Sequence, residues 1–247
     1  MDVPLSNSEL DRYHRQIMIS GWGEEGQLLL KSAKVVVVGL GGLGCPVSLY
    51  LAAAGVGNLV LVDKETFELS NLNRQVLGWE KDIGRHKVEV AREKLNGFNP
   101  AISVTEKITE VTMHNVDNII DGATVVVDAL DNWDTRFIVN DACVRSKIPF
   151  VHAGIIGLSG QITTIIPGEG PCLKCIIPEE PEPVTTFPVL GATPGLFGTL
   201  QVIETLKLIT GIGETLKGRL IYFDGEFMDF DSVEIGRNPN CPTCSSL

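Results

Sequence analysis

Residues 34–44 read KVVVVGLGGLG. Four consecutive valines carry strong β-propensity and no polar alternation. The strand they form is therefore expected to be buried on both faces, as in the interior of a parallel sheet. Gly39, Gly41 and Gly44 follow at once in a G-x-G-x-x-G pattern, and SLYLAAAGVG, residues 48–57, reads as the helix after it. Glycines let the chain turn sharply and approach a phosphate closely, and a helix N-terminus offers unpaired N–H groups to an anion. Strand, glycine loop and helix in that order predict a nucleotide-phosphate site. The plainer alternative is a glycine-rich turn in an ordinary βα unit. The next apolar strand, NLVLVD (58–63), ends in Asp63, 19 residues beyond Gly44, where an acid can accept hydrogen bonds from a ribose. A lone acid at a strand end also caps turns, so both roles stand.

From that core the pattern extends both ways. Residues 7–20 predict a helix capped near Ser6 or Ser8 and carrying Arg12, Tyr13, His14, Arg15 and Gln16; a second helix, 24–31, leads into the valine strand. Downstream come the polar segment SNLNRQ (70–75) and a helix over 84–96 with Lys87 and Arg92, stopped by Asn99-Pro100. A strand over 102–106, a helix over 111–120 and the apolar strand ATVVVD (123–128) follow. That strand runs into Ala129-Leu130-Asp131-Asn132 and a helix through Lys147. Strands 148–153 and 161–166 lie too close for the crossover a parallel pair requires, so they pair antiparallel. The expected fold class is thus α/β: a Rossmann-like sheet with a parallel first half and an antiparallel second half. Residues 168–193 form a proline-rich loop with the acidic run PEEPEP, and loops this long within a compact domain are usually functional or mobile. A helix over 199–210 and strands 219–223 and 227–235 complete the chain.

Composition narrows the partners. The chain has 247 residues, 44% of them hydrophobic, enough for a sizeable core. Its net charge of −11 argues against nucleic acid or an anionic membrane as the main partner. No apolar run reaches membrane-spanning length. The polar start MDVPLSNSELDRYHRQ predicts no secretory signal. With six cysteines to be kept reduced or metal-bound, a cytoplasmic location is expected. Cys172-x-x-Cys175 and Cys241-x-x-Cys244 are two knuckles that together fill the tetrahedral shell of one structural Zn²⁺, tying the long loop to the C-terminal tail. The alternative is two unrelated C-x-x-C pairs, one of them a redox dithiol. Cys45 and Cys143 read as small core residues.

RYHRQ (12–16), GLGGLGC (39–45), Asp63, SNLNRQ (70–75), Lys87, DALDN (128–132) and the two knuckles occur together in order. As an ordered set they resemble the ThiF/MoeB/HesA family over about residues 6–245. These are relatives of the ubiquitin-activating enzymes that adenylate the C-terminus of a small ubiquitin-like sulfur carrier. The resemblance implies attack of a carboxylate on the α-phosphate of ATP, giving an acyl-adenylate and pyrophosphate. It implies Arg74 and Lys87 on the phosphates, Arg15 reaching in from the other subunit of a homodimer, and Asp131 holding Mg²⁺. Asp63 would bind the ribose, Asn71 and Gln75 would position phosphates, and the loop with Gly42 would cradle the nucleotide. The carrier would be a protein of under 100 residues whose Gly-Gly tail threads a narrow channel, because a side chain would clash there. The loop 176–193 would cover that channel, and strands 219–235 would add to the docking sheet. The whole chain, 1–247, would be a single adenylation domain: N-terminal helices 6–32, a nucleotide-binding half 33–153, and a carrier-docking and zinc half 154–247.

One departure from the family stands out. Many relatives carry a cysteine in the loop before the Gly-Leu-Phe-Gly segment, where it receives carrier or sulfur. Here PEPVTTFPVLGATPG, residues 181–195, has none, and Val184 or Thr185 occupies the matching place. The expectation is adenylation without a covalent stage on this loop, with an external sulfur donor acting on the acyl-adenylate. The competing class is an NAD- or FAD-dependent oxidoreductase, which the glycine pattern and an acid suit equally well. Hydride transfer, however, needs no magnesium ligand such as Asp131. A third reading is a related activator of a peptide or of a tRNA nucleoside, the latter disfavoured by the acidic balance.

Overall fold

The computed structural model of the chain describes residues 4–179, 181–182 and 187–245. Helices α1 (Asn7–Arg12), α2 (His14–Ile17) and α3 (Gly23–Ser32) precede strand β1 (Lys34–Val38), α4 (Gly44–Ala54) and β2 (Asn58–Val62). Next come α5 (Lys87–Phe98), β3 (Ser103–Lys107), α6 (Val116–Ile120), β4 (Val125–Asp128) and α7 (Trp133–Ser146). The second half holds β5 (Phe150–Ile156), β6 (Ser159–Ile165), α8 (Leu173–Ile176), α9 (Ala192–Thr210), β7 (Arg219–Asp224) and β8 (Asp229–Glu234). All eight strands join one sheet in the order β3-β2-β1-β4-β5-β6-β7-β8. Pairs among β1 to β5 are parallel, and from β5 onward they are antiparallel. The division expected from the sequence is the one found. The change of direction comes at Gly157, whose φ of 58° lets two residues close the β5–β6 turn.

The valine run explains where the core sits. Val35 and Val37 pack on one side of the sheet with Leu51, Leu59, Leu61 and Phe197. Val36 and Val38 pack on the other with Val60, Val62, Ile120 and Phe150. Successive side chains point to opposite faces, so a strand covered on both sides needs apolar residues at every position. Burying each valine contributes about 1.5–3 kcal/mol.

Element boundaries depart from expectation at several places. The helix expected over 7–20 breaks at Tyr13 (φ −97°, ψ 7°). Tyr13 is buried there, and its hydroxyl accepts a 2.8 Å hydrogen bond from Asn99 Nδ2. Helix α4 begins at Gly44, four residues before the expected Ser48, with Pro46 in its first turn, where a missing N–H costs nothing. Helix α9 begins at Ala192, not Thr199, so the segment GLFG lies inside it rather than before it. Gly198 is there for close approach: a Cβ at that position would stand 2.6 Å from Pro46 Cγ and 2.9 Å from the Leu43 carbonyl. The expected helices over 84–96 and 111–120 start later, at Lys87 and Val116, and the long loop contains the short α8. Val184 and Thr185 lie outside the described residues.

Candidate active site and cysteine cluster

In the order β3-β2-β1-β4-β5 the strand order, not the strand direction, reverses beside β1, and the crevice at the carboxyl ends of β1 and β4 is where such sheets bind ligands. The loop after β1 lies there. Gly39, with φ +96°, presses so close to β4 that a Cβ would stand 2.4 Å from the Ala129 carbonyl. At Gly44 a Cβ would lie 2.0 Å from the Gly39 carbonyl, so only glycine lets α4 start against the strand end. Gly41 and Gly42 differ: a Cβ on Gly41 would meet nothing nearer than Gln75 Nε2 at 3.9 Å, and on Gly42 Pro194 at 3.1 Å and Arg74 Cδ at 3.5 Å. The amides of Gly41, Gly42 and Leu43 donate to no other described residue. The arrangement is a backbone cradle with free donors, walled by Arg74, Gln75 and Pro194.

Asp63 anchors that cradle. Its Oδ2 accepts from the Leu40 amide at 2.7 Å and its Oδ1 from the Glu65 amide at 2.8 Å, so it caps its own turn and ties that turn to the loop after β1. Burial raises its pKa against the pull of those amides and of Lys87. The segment after β2 adds Asn71, whose Oδ1 accepts from the Glu68 amide at 3.1 Å, and Arg74, whose Nη1 donates to the Ser70 carbonyl at 2.9 Å and Asn73 Oδ1 at 3.0 Å. Gln75 is buried, and its Oε1 has no partner among the described residues. Lys87 opens α5 and is buried, and its Nζ donates to Glu65 Oε2 at 2.5 Å. Asp131 is exposed just beyond β4, and Arg15 is exposed on α2. Thus Arg74 and Gln75 meet the glycine loop directly, Lys87 sits behind Asp63 and Glu65, and Arg15 projects from the N-terminal helices.

Sequence reasoning missed a cluster beneath Asp131. Asp128, fully buried at the end of β4, accepts from His152 Nδ1 at 2.6 Å, lies 3.3 Å from Arg136 Nε, and accepts from the Leu130 amide at 3.0 Å. Arg136 Nη2 donates to the carbonyls of Leu130 at 2.5 Å and Ala153 at 3.1 Å, with the Trp133 ring 4.7 Å from its guanidinium carbon. Burial works against the Asp128 carboxylate, but Arg136 and His152 more than offset it and hold its pKa below the usual range. Burial likewise keeps His152 neutral in spite of Asp128. Nδ1–H is then the donor, and Nε2 has no partner among the described residues. The available signals were a histidine inside the apolar strand FVHAGII and an arginine one turn into the helix after DALDN.

The four knuckle cysteines converge. Their sulfurs lie within 4.8 Å of one another, with Cys172–Cys241 at 3.5 Å and Cys175–Cys244 at 3.4 Å. Tetrahedral thiolates about 2.3 Å from one zinc require separations of this size, so the donor set fits that ion. Both knuckles are moored to α7. Asn140 Oδ1 accepts from the Leu173 amide at 2.9 Å, and Asp141 accepts from Lys174 Nζ at 2.7 Å and the Thr243 hydroxyl at 2.9 Å. Cys45 and Cys143 are buried core thiols, and burial pushes Cys45 up to about 12.

The glycine loop thus lies at the switch point of a mixed sheet, with cations and carboxylates around it. The profile of the ThiF family matches residues 13–243. The SAMP-activating enzyme E1 of Haloferax volcanii is 46% identical over 99% of this chain and 92% of its own length. The adenylyltransferase and sulfurtransferase MOCS3 of Culex quinquefasciatus is 44% identical over 98% of this chain, which spans only 56% of that relative. Among solved structures, E. coli MccB with ATP superposes with a TM-score of 0.86 at 28% identity, covering 95% of this chain and 74% of that one. The chain belongs to the ThiF family and is an enzyme of its E1-like adenylyltransferase class. Among the described residues no helix is long and apolar enough to cross a membrane.

Proposed function

We propose that this enzyme uses ATP to adenylate the C-terminal Gly-Gly carboxylate of a small ubiquitin-like sulfur carrier, releasing pyrophosphate. The observation that carries the reading is the meeting of Gly42, Arg74 and Pro194, which brings the loops after β1 and β2 and the start of α9 to one crevice. Two anions must be joined there, so the site has to supply positive charge. Arg74 and Lys87 bind the phosphates and Arg15 enters from a second copy. Asn71 and Gln75 orient the triphosphate, and Asp63 meets the ribose with the lone pairs its amide donors leave free. The exposed Asp131 carboxylate is the oxygen ligand that would hold Mg²⁺, which supplies charge neutralisation on the phosphates when bound. The four cysteines would hold a structural Zn²⁺ with no open position.

A homodimer is supported by Met18 and Ile19 beside Arg15, and by Leu29, Tyr50 and Ile203 on the packed helices α3, α4 and α9, all large apolar side chains left exposed. Gly191, whose Cβ would stand 2.2 Å from the Asn73 carbonyl, places the end of the long loop against the Arg74 segment, where a Gly-Gly tail would enter. With no cysteine in residues 181–195, sulfur comes from an external donor in this reading, and the enzyme works in the cytoplasm.

ATP–pyrophosphate exchange with a Gly-Gly carrier is the direct test. Carrier-dependent exchange is expected. Tight NAD binding with no exchange on any Gly-Gly carrier from the same genome would overturn the proposal in favour of an oxidoreductase. Exchange only with a short peptide would move it to the peptide activators.

A further inference from the structure

We propose that Arg136 is a positioning residue: through the peptide groups of Leu130 it fixes where the next residue, Asp131, presents its carboxylate. The inference rests on the adenylation reading, in which Asp131 is the magnesium ligand. Leu130 has both of its polar backbone groups taken by one buried ion cluster. Its amide donates to Asp128 Oδ1 at 3.0 Å, and its carbonyl accepts from Arg136 Nη2 at 2.5 Å. The cluster has further ties, although Arg136 Nε has no hydrogen-bond partner among the described residues. Arg136 Nη2 also donates to the Ala153 carbonyl of β5 at 3.1 Å, and Arg136 Nε lies 3.3 Å from Asp128 Oδ2. Asp128 Oδ2 further accepts from His152 at 2.6 Å, and the Asp128 carbonyl accepts from Gln201 Nε2 of α9 at 2.6 Å.

Asp131 has no comparable support. Among the described residues its side-chain contact is a 3.3 Å hydrogen bond from the neighbouring Asn132 Nδ2, and its side chain is exposed. Its position is therefore inherited from Leu130 behind it and from the N-cap of α7 ahead, where Asn132 Oδ1 accepts from the Thr135 amide at 3.0 Å. Arg136 lies in the first turn of that helix, so one side chain locks the turn onto the strand end. A lysine can carry the charge but not the planar fork that reaches Leu130, Ala153 and Asp128 together.

Arg136→Lys and Arg136→Gln in the full chain test this. Carrier-dependent exchange is measured across magnesium concentrations, alongside melting temperature and amide exchange at residues 130–132 without metal. For Arg136→Lys, kcat is expected to fall about 30- to 100-fold, the scale for a misplaced catalytic group, with the ATP KM within about twofold. More magnesium should be needed for half-maximal rate, and the Leu130 amide should exchange roughly tenfold faster. Arg136→Gln, which keeps one donor for Leu130 but gives up the ion pair, should show the same split and serves if the lysine variant does not fold. A folded variant with the kcat and magnesium dependence of the parent enzyme, or with an unchanged Leu130 amide, would overturn the proposal. If the parent enzyme itself shows no exchange, the adenylation reading fails, whereas the amide measurement still reports whether Arg136 holds this segment.

Discussion

The glycine crevice and the cysteine cluster are built on opposite plans. At the crevice, residues from separated segments contribute, the amides of Gly41 to Leu43 and Gln75 Oε1 have no partner among the described residues, and Asp131 is exposed. At the cluster, four like ligands close on one point, three of them buried, and the surrounding amides and hydroxyls are tied to α7. Unfilled valence is what a site needs to hold a ligand that comes and goes. A filled shell is what a strut needs. The two can be told apart by what each loses when broken.

Breaking the cluster should have the largest effect. Structural zinc sites in small peptides contribute on the order of 10 kcal/mol to folding. Metal analysis should find one zinc per chain, and Cys241→Ser or prolonged chelation should abolish cooperative thermal unfolding of the native state or lower its midpoint drastically. Cys45→Ala, a buried thiol outside the cluster, should shift it only slightly. A folded Cys241→Ser protein with the parent melting temperature would show that the thiols merely sit together.

Breaking the crevice should do the reverse. Arg74 is half-buried and, among the described residues, bonded only to Ser70 and Asn73, so Arg74→Ala should leave the melting temperature nearly unchanged. Exchange should nevertheless fall about 10²- to 10³-fold, roughly 3–4 kcal/mol, the scale for one preorganised donor to developing charge. Equal losses of stability and rate would erase the distinction between the two regions.

How far the sequence exposes each plan follows from the same difference. The cluster was legible because like residues at fixed short spacing repeat, and so was the doubly buried β1, because four valines in register tolerate only one environment. The cradle was legible as a pattern but not in extent. Glycines near 44 and 195 give no sign of helix, so α4 and α9 start earlier than the sequence pattern predicts, and the role of Gly198 in letting those helices touch is visible only in the packing. The Asp128–Arg136–His152 cluster was hidden. Its members lie on β4, α7 and β5, each ordinary in its own segment, and DALDN drew notice to Asp131 instead of to the buried acid three residues earlier.

That cluster gives a prediction of intermediate size. Burial depresses the His152 pKa below the ordinary value near 6.5, so below that pH the unfolded chain binds a proton that the native protein refuses. Stability contributed by the neutral imidazole is complete above pH 6.5 and is lost as pH falls toward its native pKa, by at most about 1.4 kcal/mol per pH unit. Asp128, depressed from its usual range near 3.9, adds a loss only at still lower pH. Chemical unfolding between pH 7.5 and 5 should therefore show falling stability that flattens in His152→Asn, which retains a donor for Asp128. An identical slope in both proteins would mean that other groups set the acid limb.

The smallest expected effect concerns the poise of Lys87. Its ammonium is buried, yet its partner Glu65 is 56% exposed, so the pair is half inside the protein and half in water. Such pairs contribute about 0–1 kcal/mol, and Glu65→Gln should lower the melting temperature little, because a carboxamide oxygen still accepts from Nζ. The functional consequence has a sign that stability does not. If Glu65 competes with phosphate for the lysine, the neutral variant frees a desolvated positive charge, and the ATP KM should fall about two- to fivefold with kcat nearly constant, the pattern of stronger uniform binding. If Glu65 instead aims the lysine, KM should rise. The two outcomes separate a crevice whose cations are held in reserve until ATP arrives from one whose cations are already in place. The first is expected, because the Lys87 Nζ in this structure is committed to Glu65 while the amides of Gly41, Gly42 and Leu43 have no acceptor among the described residues.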